Sequence, residues 1–152
     1  METIAYFCQM KRILLLSFFT AFYFTNITEI SAQTWNPIGL NVVGHNTMNG
    51  VEALYQLSQC SGEDAVYVKL INHNSNIVSV EWYPAVFTNE TKWHITETPA
   101  DKKSVTLNPN ASKEGDCSGS EPTMIILLKD FSVSINDFMR FGTTNFSVAT
   151  QQ

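Results

Sequence analysis

Two runs of strictly alternating residues, separated by five polar ones, constrain this chain more than any other feature of it. Val66, Val68 and Leu70 alternate with Tyr67, Lys69 and Ile71; Val78, Val80 and Trp82 alternate with Ser79, Glu81 and Tyr83. A period of two sends successive side chains to opposite faces of an extended backbone, so each run reads as a β-strand with an apolar face. Between them, Asn72-His73-Asn74-Ser75-Asn76 consists of residues that favour turns and left-handed backbone. The arrangement predicts a β-hairpin. Pro84 is expected to end or bend its second strand, because it has no N–H for the ladder.

The remaining segments are shorter. After an Asn49-Gly50 turn signal, Val51, Ala53, Tyr55 and Leu57 share one face, although Glu, Ala, Leu and Gln in the same stretch also suit a helix. Residues 93–96 and 104–107 are short strand candidates. Residues 124–128 are continuously apolar, as for a strand buried on both faces. Phe131, Val133 and Ile135 alternate with serines, Asn136-Asp137 turns the chain into 138–141, and 146–148 closes it. Residues 108–123 hold two Pro, two Gly and no apolar run, and read as the longest loop. Residues 33–50 read as an opening strand or an extended arm with Trp35-Asn36-Pro37 at its tip. About seven or eight short strands with little helix predict an all-β fold, an antiparallel β-sandwich of immunoglobulin-like architecture. The expected inward set is Val66, Val68, Leu70, Val78, Val80, Trp82, Val105, Leu107, Ile126, Leu128, Phe131 and Val133.

The N-terminus reads as an export signal. Lys11 and Arg12 precede an apolar run over 13–24, broken only by Ser17 and Thr20, and Ile30-Ser31-Ala32 offers a small residue for cleavage. That run is shorter than the roughly 20 residues of a membrane span. Met10, just before Lys11, is a second candidate start. Cleavage after Ala32 makes 1–32 the signal peptide and leaves 33–152 as a single domain, secreted or periplasmic, with no membrane span. Cys8 departs with the leader. Cys60 and Cys117 remain as an even pair in an oxidising compartment, where pairing is the rule. Both lie in loop-like contexts, Cys60-Ser61-Gly62-Glu63 and Cys117-Ser118-Gly119-Ser120-Glu121, so their bond reads as a loop-to-loop staple. The order Cys, Trp82, Cys matches antibody-like domains, but Gly115 stands where those carry a tyrosine two residues before the second cysteine. The likeness is therefore one of architecture only.

The formal charge is −5, and removing the leader leaves it unchanged, since Glu2 and Glu29 cancel Lys11 and Arg12. An acidic chain whose only adjacent basic pair after the leader is Lys102-Lys103 is not built for nucleic acid or an anionic membrane. A bond between the two cysteine loops would gather Glu63, Asp64, Glu114, Asp116 and Glu121, the candidate ligands for Ca²⁺, although no calcium-loop spacing is present and a solvated acidic rim is the plainer reading. No other cofactor is indicated. His45, His73 and His94 show no metal-ligand spacing. There is no G-x-S-x-G, no H-E-x-x-H and no phosphate loop. Glu81 and Glu97 are the carboxylates a hydrolase could pair. Tyr83, Phe87, Trp93 and Trp35 are aromatics that could stack on sugars or anchor a protein, if they are not core. Asn89, Asn110 and Asn145 head N-x-S/T sequons, which matter only in a eukaryotic secretory pathway.

The run from Gln59-Cys60-Ser61-Gly62-Glu63-Asp64-Ala65-Val66 to Asn72-His73-Asn74, then Val80-Glu81-Trp82, then Asn108-Pro109-Asn110-Ala111-Ser112-Lys113-Glu114-Gly115-Asp116-Cys117, resembles small secreted bacterial proteins of unknown function with a two-sheet β-fold. The resemblance covers roughly residues 50–130. It implies export by a Gram-negative bacterium and the same disulfide, and it carries no activity and no catalytic residues. The sequence thus points to an exported, non-enzymatic binding or structural protein, associated with the cell surface or extracellular matrix, with a protein or polysaccharide partner. Two other readings are a small secreted hydrolase using acidic residues, and a strand-exchanging adhesin or assembly subunit that would use 33–45.

Overall fold

Both alternating runs form strands, but they do not pair with each other. The computed structural model describes residues 34–42 and 44–151. The expected leader at 1–32, with Cys8 and Met10, falls outside the described residues. Ten strands follow in chain order: β1 (Asn36–Pro37), β2 (Thr47–Met48), β3 (Val51–Cys60), β4 (Glu63–Asn72), β5 (Val78–Thr88), β6 (Trp93–Ile95), β7 (Lys103–Leu107), β8 (Ser112–Glu114), β9 (Ile125–Leu127) and β10 (Phe138–Thr150). In the first sheet β3 and β4 lie at the centre, with β1 and β2 along the outer edge of β3 and β8 and β9 along that of β4. In the second, β5 is flanked by β10 on one side and by β7 and β6 on the other. All of these pairings are antiparallel. One core joins the inner faces of the two sheets, which makes the fold a β-sandwich.

The expected hairpin over 66–83 is thus a correction. β4 pairs with β3, and residues 73–77 carry the chain to the other sheet. The reason is Asn72, fully buried at the corner. Its side-chain amide donates to Asn76 O and Asn108 O, both at 2.9 Å, and its carbonyl accepts from the backbone N–H and Nδ2 of Asn74, again at 2.9 Å. These bonds replace the ladder that a hairpin would supply. The corner keeps both apolar faces inward, and for that reason all twelve residues of the expected inward set do lie in the core.

Other local differences have equally local causes. Asn49 and Gly50, at φ 46° and 74°, make the hairpin turn joining β2 to β3. Pro84 neither ends nor visibly breaks β5; it falls between the last residue paired to β7, Trp82, and the first paired to β6, Ala85, where a missing donor costs the ladder least. Of the apolar stretch at 124–128 only Ile125–Leu127 is a strand, an edge one between two 3-10 turns, with Met124, Ile126 and Leu128 buried and Ile125 and Leu127 only half-buried. Phe131 and Val133 enter the core from a 3-10 turn, with Ser132 left-handed at φ 56°, not from a strand. The 108–123 region contains β8, whose Ser-Lys-Glu sequence has no apolar face because it rims the sheet. The strand candidate at 104–107 begins one residue earlier, as Lys103 opens β7.

Cys60 and Cys117 are bonded, with Cα atoms 5.4 Å apart. Cys60 is the last residue of β3 and not a loop residue, and Cys117 lies in the connection from β8 to β9. The bond therefore acts within one sheet. By alternation Cys60 shares the outer face of β3 with Gln56, which, like its cross-strand neighbour Tyr67, is only 7% exposed.

Residues 36–48 link the two sheets. β1 pairs with β3, Ile38 N–H donates to Ala53 O at 3.1 Å, and Thr143 N–H of β10 donates to Gly39 O at 3.1 Å. Ile38 and Leu40 are core residues.

Candidate functional site

The outer face of the second sheet is where the sandwich exposes chemistry. Along β5, Tyr83, Ala85 and Phe87 point away from the core, since Trp82 and Val86 point into it. Register then fixes two rows across three strands: Arg140, Phe87 and Trp93, and beside it Gly142, Ala85 and Ile95. The indole of Trp93 reaches across Ala85 to Gly142. A Cβ built on Gly142 would stand 2.8 Å from its Cη2 and 3.0 Å from its Cζ3, so only glycine leaves room for the ring. Ala85 is fully buried beneath, although it faces outward.

Arg140 owes its place to a bulge. Phe138 pairs with Thr88 and Arg140 with Phe87, so Met139 is an extra residue. In a regular strand Phe138 and Arg140 would share a face. The bulge sends Phe138 inward, with its ring 6.0 Å from that of Tyr55, and Arg140 outward. There the guanidinium lies 4.6 Å from the Phe87 centroid and 5.2 Å from that of Trp93, and the two rings are 5.1 Å apart. Stacking on aromatic faces orients the group while its N–H donors, which lie in its plane, stay available. Among the described residues no carboxylate lies within ion-pair distance of Arg140, whereas Lys69, Lys102, Lys113 and Lys129 each hold a glutamate.

Beside this cluster opens a cleft of about 380 Å³. Trp93, Arg140 and Phe141 form one side; Pro37, Ile38 and Gly39, then Val42, Gly44 and Asn46, form the other. That second wall is held tightly. Gly44 N–H donates to Leu40 O at 3.0 Å, and a Cβ on Gly44 would meet that oxygen at 2.8 Å. Val42 sits at φ 58°, a left-handed backbone that a β-branched residue adopts only under constraint. Tyr55 has its ring 5.9 Å from that of Phe141; burial raises its hydroxyl above its ordinary pKa, partly offset by a backbone hydrogen bond at Phe141 and by the Arg140 charge. Among the described residues the cleft lining contains no carboxylate and no histidine.

The residues nominated from sequence lie elsewhere. Glu63 pairs with Lys129 at 3.2 Å, Glu114 with Lys69 at 2.8 Å and Glu121 with Lys113 at 2.7 Å. Asp64 accepts from Gln59, and Asp116 from the backbone and hydroxyl of Ser118, bonds that hold its carboxyl below the usual aspartate range. Among the described residues no three His, Cys, Asp or Glu converge as metal ligands, so the structure does not assemble the five calcium candidates into a site. His73 contacts Glu52 at 3.1 Å, His94 contacts Thr88 at 3.4 Å, and His45 is exposed in a loop. Glu81 is bound to Lys102 at 2.7 Å and Glu97 accepts from Asn145 at 3.3 Å. Trp82 is core, and Trp35 lies under the Lys69 ammonium at 5.2 Å. Arg140 was not among the sequence candidates. Its one signal there is that it is the sole arginine after the leader.

Fold and surface together define a two-sheet antiparallel β-protein with one disulfide and an aromatic, cationic outer face. No family model matches the chain, and no curated protein matches it. Among solved structures it is similar to a DUF1425 family member from Shewanella sp. pv-4, with 10% identity over 70% of this chain and 85% of that one, and a TM-score of 0.40. Among the described residues no helix is long and apolar enough to cross a membrane.

Proposed function

We propose that this is an exported, non-enzymatic binding protein of the cell surface or surrounding matrix, and that the Trp93–Arg140 face and its cleft are the binding surface. The observation that carries the reading is the stacked Arg140, with no carboxylate on it among the described residues, beside a cleft whose described lining holds no acid, base or nucleophile pair. A glutamate hydrolase needs two carboxylates flanking its substrate, and Glu81 and Glu97 are each engaged outside the cleft. A strand-exchanging subunit needs a free arm, and the packing of Ile38 and Leu40 into their own core favours a self-complete sandwich. The leader supports export.

The test is a glycan array and a panel of purified envelope polysaccharides, probed with the wild-type protein, Trp93→Ala and Arg140→Ala. Capture that falls with both substitutions, while Lys113→Ala leaves it intact, is the expected result. Capture indifferent to both in folded protein, or release of reducing ends that depends on Glu81 or Glu97, would sink the proposal.

A further inference from the structure

We infer that the cleft takes a pyranose ring carrying a single carboxylate, a uronic acid residue of a polysaccharide; the inference rests on the binding reading above and names its ligand class. The half-buried Trp93 ring and the apolar atoms of Pro37, Ile38 and Val42 give the cleft surfaces that suit the C–H face of a sugar. Asn46 supplies an amide to the lining, its Nδ2 donating to Glu52 at 3.3 Å. About 380 Å³ lies at the small end of ligand sites, roughly 300–1,000 Å³, and suits one or two sugar rings better than a peptide or a duplex.

Arg140 decides the charge of that sugar. Its planar fork matches a carboxylate through two parallel hydrogen bonds, and stacking on Phe87 and Trp93 fixes its plane in advance. Among the described residues it is the only cation lining the cleft, which suits one isolated negative charge better than a phosphate dianion. The formal charge of −5 disfavours densely charged polyanions but tolerates carboxylates spaced by sugar rings.

The experiment is calorimetric titration of the purified protein with short oligomers of glucuronate, galacturonate and mannuronate, with the same oligomers reduced at the carboxyl to neutral sugars, and with inorganic phosphate. Wild-type protein should bind at least one uronate series about tenfold or more tightly than its reduced counterpart, and phosphate not measurably. Arg140→Gln, at an exposed residue, should abolish that difference while keeping residual affinity for both oligomers. Trp93→Ala should lose both, and if it fails to fold, Arg140→Gln alone decides. Equal affinity for acidic and reduced oligomers would overturn the uronate assignment and leave the glycan-binding surface standing. Binding of phosphate as tight as the uronate would also overturn it. Absence of binding to every oligomer in the panel would overturn the uronate assignment, and the glycan array then decides the broader reading.

Discussion

Replacing Asn72 with alanine tests the account of the inter-sheet corner. The substitution removes four bonds at 2.9 Å, two donated to Asn76 O and Asn108 O and two accepted from Asn74, together with a longer one to Leu107 O at 3.5 Å. Asn72 is fully buried, so its partners do not all recover water. A buried group left unpaired costs about 1–3 kcal/mol. His73, Ser75 and Asn76 are exposed, so part of the corner can hydrate. The expected loss is therefore about 3 kcal/mol, less than the four bonds would sum to, or roughly 10–15 °C of melting temperature for a domain of this size. Urea unfolding followed by tryptophan emission should show a lower midpoint with an unchanged m-value. Asn72→Asp sharpens the test. It keeps the acceptor for Asn74 but turns a carboxylate toward two carbonyl oxygens, so it should be at least as destabilising at neutral pH and recover in part on acidification. An Asn72→Ala protein within about 0.5 kcal/mol of wild type would refute the claim that this side chain holds the corner.

Three further outcomes are expected. Gly142→Ala should lift the Trp93 ring off the sheet, costing about 1–3 kcal/mol of overpacking, and should move the Trp93 indole N–H signal in an NMR spectrum more than those of Trp35 and Trp82. Exchanging Cys60 and Cys117 for serine opens a ring closed over a separation of 57 residues, and in the loop-entropy model should cost about 4 kcal/mol in urea titration; an unchanged midpoint would remove the stabilising role. Asp137 is held below its ordinary pKa of 3.8 by hydrogen bonds from the Ser134 hydroxyl and the Asn89 amide. Because the folded value is the lower one, this contribution is present above pH 4 and is lost as pH falls through the folded value; Asp137→Asn should therefore flatten the acid side of the stability profile, which stability measured between pH 5 and 2 will show.

What could be read from the sequence was whatever depends on which face a residue takes. Period-two alternation placed Val66 through Leu70 and Val78 through Trp82 in the core whatever the connection between them, because a hairpin and a corner bury the same faces. The choice between the two rests on Asn72 reaching Asn108, 36 residues away, and nothing local announces it. β8 escaped notice because an edge strand of Ser-Lys-Glu needs no apolar face. The Trp93–Arg140 cluster was half legible. Trp93 was a candidate aromatic on an unassigned face, but Arg140 joins it only because Met139 is an unpaired extra residue in β10, and a bulge cannot be counted before the register is known.

The disulfide has a consequence for how the chain survives cutting. Its ring encloses β4, β5, β6, β7 and β8, so it includes three of the four strands of the second sheet and two of the six of the first. A protease that nicks an exposed turn inside the ring, such as 97–100, leaves both fragments covalently joined, and they separate only after reduction. A nick between Cys117 and Phe138 has the opposite effect: β10, which carries Arg140 and Gly142, is then held by its pairing and packing alone. The 129–137 turn is therefore the segment whose integrity the candidate site depends on, and non-reducing against reducing gels of partially digested protein would tell the two kinds of nick apart.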